Sequence, residues 1–109
     1  HFYNNFVRFT GSGGRVSQNG HLLSERNIYV ASAGGPALLS RTGGAVTVPG
    51  NYRSFEDRLG GGATLDPSND PTVVFDARDF YEYPLDAADE ALETRVVAEA
   101  GWQDVPFPR

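Results

Sequence analysis

Few residues in this chain have the types and spacing for chemistry. His1 and His21 are its two histidines. A histidine that begins a chain can bind copper through its amine and ring nitrogen, with a second histidine completing the set. The plainer reading places His21 at a strand edge and gives His1 no ligand role, and it accounts for both. Asp66, Asn69, Asp70 and Asp76 form an acidic loop whose oxygens could hold calcium. Their spacing lacks the alternating ligand pattern and closing Glu of a calcium-binding loop, and Pro67 and Pro71 stiffen it, so it reads as a solvated turn. Arg8, Arg15, Arg26, Arg41 and Arg53 could face an anionic polymer, and each also reads as an ordinary surface arginine. Asp89 and Glu93 read as a solvated helix face, and Trp102 as packing for the tail. The Gly11–Gly14 stretch GSGG has neither the Lys nor the following helix of a phosphate cradle. No Ser-His-Asp pattern is present. These residues assign no catalytic and no metal-binding group, and leave substrate-binding residues open.

The composition narrows the classes further. The 109 residues carry 9 basic and 14 acidic side chains, a net charge of −5, and no Cys or Met. Every basic residue is Arg. There is no disulfide frame, and no basic block to follow a phosphate backbone, which argues against nucleic acid as a partner. No apolar run approaches the roughly 20 residues of a membrane span. A chain that opens on His1 reads as a piece of a longer polypeptide.

Short apolar stretches bounded by Gly and Asn predict strands at 1–9, 21–30, 45–48 and 73–75, with a further apolar run at 37–40. Residues 57–71 read as a long surface loop. Leu85, Ala88, Leu92, Val96 and Ala100 recur every three or four residues and predict a helix from Asp86 to Ala100. Asp86 is its expected N-cap and Gly101 its stop. The tail 102–109, with Pro106 and Pro108, reads as extended. The division is 1–78, strands and loop, followed by 79–109, a strand, closing helix and tail.

Asn5, Asn27 and Asn51 each precede a large apolar residue, at intervals of 22 and 24 residues. A period of this length, built of short strands and turns, predicts an all-β chain: the C-terminal rungs of a right-handed parallel β-helix with a closing α-helix. The three Asn residues are its expected structural positions, stacked at successive corners with their amides satisfied along the stack.

Three segments carry a family resemblance. His1–Phe6, HFYNNF, resembles the HVYNNY segment of the pectate lyases of polysaccharide lyase family 1. His21–Tyr29, HLLSERNIY, resembles the next family rung at Leu22, Leu23, Glu25 and Asn27, with Tyr29 one position from the usual aromatic. Asp79–Gly101 is similar to the family's C-terminal signature through Tyr81, Tyr83, Leu85, Asp86, Ala88, Val96, Ala100 and Gly101. Ala87 stands where the family has Pro.

The resemblance implies the C-terminal portion of a secreted, calcium-dependent enzyme that cleaves polygalacturonate by β-elimination. It also implies that the family's catalytic Arg and calcium ligands lie upstream of His1. The implied partners are the pectate polymer and upstream rungs of the same protein. Calcium is the cofactor of the full-length family, and none is expected in this chain. Pectin lyase, acting on the methylated polymer, and a non-catalytic β-helix that binds carbohydrate or serves as a surface module are the alternatives.

Overall fold

The structure, a computed structural model, describes residues 1–32, 39–42, 45 and 47–99. Six short strands form in chain order: β1 (Phe2–Tyr3), β2 (Phe6–Phe9), β3 (His21–Glu25), β4 (Ile28–Ala31), β5 (Asn51–Phe55) and β6 (Arg58–Gly60). The odd-numbered strands make one three-stranded parallel sheet, ordered β1-β3-β5. The even-numbered strands make a second, ordered β2-β4-β6.

Each strand pair is joined by a two-residue corner. Its first residue takes a left-handed backbone, at Asn4 (φ 53°), Arg26 (φ 48°) and Glu56 (φ 53°). Its second residue is Asn5, Asn27 or Asp57. The corner redirects the chain from one sheet to the other, so the strand–corner–strand unit occurs three times. The registers agree across the units: Tyr3 lies beside Glu25 and Glu25 beside Phe55, while Phe6 lies beside Ile28 and Ile28 beside Arg58.

Alternation along the strands separates two cores. Leu22 and Tyr52 turn inward with Phe9, Val16, Tyr29, Ala31 and Leu39. Leu23, one residue on, turns to the other face and packs with Val74 and Ala77. That face is covered by an arm, residues 71–85, punctuated by two 3-10 turns at Pro71–Val73 and Ala77–Asp79. The helix α1 (Glu90–Glu99) follows and packs against β2 through an element that buries Leu92.

The parallel β-helix expectation is not met. The described residues form two small parallel sheets and one short helix, without a closed solenoid. Closing each turn requires a third strand, and among the described residues where the chain would form it only isolated bridges occur. Arg15–Ser40 is parallel and Ser17–Pro49 antiparallel. Gly-rich, aperiodic sequence in these stretches supplies too few apolar side chains to hold a third sheet. The class is a small mixed domain of two parallel sheets with a short helix.

Other boundaries also differ. Residues 57–71 contain β6, and residues 71–73 form a 3-10 turn where part of a strand is expected. The chain leaves β6 through Gly61, at φ 66°, where an added Cβ would stand 1.9 Å from the Ala31 carbonyl oxygen. No other residue type fits there. The helix begins at Glu90, because Asp89 caps it: its Oδ1 accepts from the Leu92 N–H at 3.0 Å. Asp86 is engaged elsewhere. The expected positions at Ala37, Val46, Ala100, Gly101, Trp102 and the rest of the tail lie outside the described residues, while Ala45, Thr47 and Val48 are not in a strand, against the strand expected at 45–48.

Candidate functional site

The outward face of β1-β3-β5 carries Tyr3, Glu25 and Phe55 in one row, and Leu23 and Arg53 in the next. The arm lays Arg78, Tyr81 and Tyr83 across this face. Glu25 sits beneath them, its side chain 3% exposed. A carboxylate so enclosed requires partners, and they come from separate segments. Oε1 accepts from His1 Nε2 at 3.1 Å and from the Tyr83 hydroxyl. Oε2 has no hydrogen bond among the described residues and lies 3.7 Å from Arg78 Nη2. His1 Nδ1 is bonded to the Tyr81 hydroxyl at 2.6 Å, and the His1 ring stacks on Tyr3 at 4.8 Å.

Burial raises the Tyr83 pKa, and the Glu25 carboxylate it bonds raises it further, while Arg78 opposes both. Tyr83 therefore stays a donor. The cluster is a clasp: it joins a buried carboxylate to the His1 ring, the Tyr83 hydroxyl and the Arg78 guanidinium, and it fastens the arm to the sheet. An open groove runs beside it, lined by Arg26, Arg78, Tyr81, Glu82, Tyr83 and Leu85. Guanidinium groups and phenol rings on one groove suit a ligand with carboxylates and C–H faces, such as a sugar acid.

A second polar cluster lies at the corners. Asn5 N–H donates to Asn27 Oδ1 at 2.8 Å, and Asn27 N–H donates to Asp57 Oδ1 at 2.8 Å. Asp57 Oδ2 accepts from Ser24 Oγ at 2.7 Å and Ser54 Oγ at 2.6 Å. Ser24 Oγ also meets the Tyr29 hydroxyl at 2.8 Å. Burial raises the Asp57 pKa against these bonds, and burial raises that of Tyr29 as well. Among the described residues no histidine is joined to Ser24, which is buried with its hydroxyl bonded to the Asp57 carboxylate.

The structure brings Asn5 and Asn27 together and puts Asn51 elsewhere. Asn51 opens β5 opposite His21, and its Oδ1 accepts from Arg41 Nη2 at 2.9 Å and from Asp70 N–H at 3.0 Å. The third corner belongs to Asp57. His1 and His21 do not form a pair: His1 bonds Glu25 at the end of β3, and exposed His21 begins that strand. Asp66, Asp70 and Asp76 are spent locally, each accepting from a backbone N–H two residues on, at 2.9–3.0 Å. The hydrogen bonds from Ser68 and Thr72 hold the Asp66 and Asp70 carboxyls below their ordinary values. Among the described residues no three His, Cys, Asp or Glu gather to hold a metal ion.

Of the five arginines, Arg26 pairs with Glu56 at 2.5 Å and Arg41 donates to the Gly50 carbonyl at 2.6 Å. Arg8 lies over Phe6 and Arg53 over Phe55. Tyr81 and Tyr83 enter the sequence reading only through the family resemblance, and Arg78 does not enter it at all. Their convergence on Glu25 has no sequence signal apart from a charged residue at a strand position whose neighbours are apolar. Compared with protein-family models, with curated proteins and with solved structures, the chain matches none of them.

Proposed function

We propose that this chain is the C-terminal portion of a secreted, calcium-dependent pectate lyase, and that its residues scaffold the enzyme and leave the reacting centre to other residues. One observation carries the reading: the segments that resemble the family are fastened to one another. Asn4, in HFYNNF, accepts from Asp86 N–H through Oδ1 at 2.8 Å and donates to Asp86 O at 2.7 Å. His1, Glu25 and Tyr83 join the same three segments through the clasp. Segments related only by chance have no reason to meet through the residues that carry the likeness. The closed solenoid forms no part of this support.

The chemistry is β-elimination on polygalacturonate. A base removes the C5 proton, the electron pair forms the C4–C5 double bond, and the bond from C4 to the glycosidic oxygen breaks. Calcium, when bound, would supply the positive charge that makes that proton more acidic, and the residues described here gather no set to hold it. The resemblance puts base and calcium ligands upstream of His1, so this chain contributes rigidity and the groove beside the clasp. That groove favours a second reading, in which the chain holds an acidic polysaccharide without cleaving it.

The test is the ultraviolet absorbance of the unsaturated product on polygalacturonate, with calcium and with chelator. Residues 1–109 are expected to give no calcium-dependent turnover, and a longer form carrying the upstream segment to give it. A longer form that binds the polymer and never cleaves it selects the second reading. Turnover by residues 1–109 alone overturns the placing of the reacting centre.

A further inference from the structure

The groove beside the clasp and a small cavity next to it share one wall, Arg78. On the cavity side, Glu25 Oε2 is buried without a hydrogen bond among the described residues. It lies 3.7 Å from Arg78 Nη2, beyond hydrogen-bonding reach. Arg53 and Asp76 line the same cavity and carry opposite charges. On the groove side, the Arg78 side chain is 56% exposed. The Phe55 ring, 5.8 Å from the guanidinium carbon, and the turn capped by Asp76 steady it. Arg78 is therefore one cation with a fixed internal carboxylate on one side and solvent on the other.

The rest of the groove says what could come from that solvent. Arg26 also lines it, but Glu56 already pairs with Arg26 at 2.5 Å. Among the described residues, Glu25 is the nearest carboxylate to the Arg78 guanidinium. Tyr81 is exposed, and its hydroxyl is bonded to His1 Nδ1 at 2.6 Å, so its ring is fixed where a sugar's C–H face could lie on it. Glu82 lines the same groove and opposes a dense polyanion, which favours single carboxylates spaced by sugar rings. The two guanidiniums stand at the second corner and over the third unit, away from the β1 edge.

We infer that Arg78 reads the carboxylate of a sugar acid in this groove, that Tyr81 supports the sugar ring, and that buried Glu25 holds the affinity down by competing for the same guanidinium. A planar fork with free N–H groups suits a carboxylate, and the neighbouring negative charge weakens its hold. The inference rests on the groove's holding an acidic polysaccharide and not on cleavage by any part of the protein.

Nuclear magnetic resonance titration of residues 1–109 with trigalacturonate, and with its methyl ester, tests it. The acid should shift the side-chain signals of Arg78 and Tyr81, and the ester should not. Arg78→Gln should weaken binding roughly tenfold, the effect of one charge-assisted hydrogen bond. Arg78→Lys, which keeps the charge and loses the fork, should recover only part of it. Glu25→Gln, folded by circular dichroism, should tighten binding several-fold, and the gain should vanish when Arg78→Gln is added. Glu25→Asp, which draws the carboxylate back from Arg78, should move affinity the same way and serves if Glu25→Gln does not fold. Acid binding that Arg78→Gln leaves unchanged, or that the folded Glu25 variant does not tighten, overturns the inference and spares the groove reading. Failure of the acid to bind at all overturns both. A longer form in which trigalacturonate leaves Arg78 and Tyr81 unshifted also overturns the inference, because another segment of the polypeptide then covers the groove.

Discussion

The side chain of Asn27 joins two neighbouring units: its Oδ1 accepts from Asn5 N–H at 2.8 Å, and its Nδ2 donates to Phe2 O at 2.9 Å. The residue is fully buried. Asn27→Ala strands the Asn5 N–H and removes the side-chain bonds to Phe2 O and Ser24 Oγ, while the backbone bond to Asp57 is kept. Its expected cost is about 1–3 kcal/mol, the desolvation penalty of unpaired buried groups. Urea unfolding checks this: the midpoint should fall with the slope unchanged.

Asp57 gives a pH dependence of unusual sign. Burial raises its pKa in the folded chain, so the folded state binds its proton more tightly than the unfolded state does. The contribution to stability is therefore greatest below the unfolded value, about 3.9, and declines as pH rises through the raised folded value. Asp57→Asn keeps the shape and removes the titration. Across the carboxylate range the wild type should lose stability with rising pH relative to this variant. Parallel unfolding curves at several pH values measure the difference, and a difference independent of pH contradicts it.

Asp66 runs the other way. Its folded pKa is lowered by hydrogen bonds from Ser68, so its small contribution is present above the unfolded value and fades as pH falls through the folded one. Ser68→Ala should shrink that acid-side loss. Nuclear magnetic resonance titration of the Asp66 carboxyl should then show a pKa closer to the ordinary one.

Leu92 is the buried anchor of α1. Leu92→Ala should destabilise by about 2–5 kcal/mol, the range for emptying a buried leucine site. Val97, 66% exposed, serves as the control: Val97→Ala should change little. Equal effects of the two would mean that the helix is not held through Leu92.

Asn4 holds the chain entering α1 and also adopts a left-handed backbone. Asn4→Gly keeps the backbone and removes both bonds to Asp86, together with the weaker one from Nδ2 to Arg26 O at 3.1 Å. Hydrogen exchange should quicken in residues 85–99 and stay unchanged in β3 and β4. Uniform quickening would show that Asn4 supports the whole domain and not this junction.

Local pattern determined much of this chain. Alternation put Leu22 inward and Leu23 outward, and the spacing of Leu92 and Val96 marked a helix. Asn before a large apolar residue marked two of the corners, because a left-handed corner followed by an amide acceptor is a local device. Tertiary structure decided the rest. The third corner went to Asp57 and not Asn51, because the stack needs a terminal acceptor and two serine hydroxyls stood ready to satisfy a carboxylate; the longer second interval of the repeat, through 57, was invisible to a search for Asn alone. Asp89 capped the helix while the Asp86 backbone was held by Asn4, a partner 82 residues away, and its carboxylate by Arg95 at 2.6 Å. Glu25 was buried because His1, from the start of the chain, and Arg78 and Tyr83, from the arm, came together over it. Closure into a solenoid failed because a repeat in sequence supplies strands, while a sheet forms only where enough apolar side chains meet across the gap.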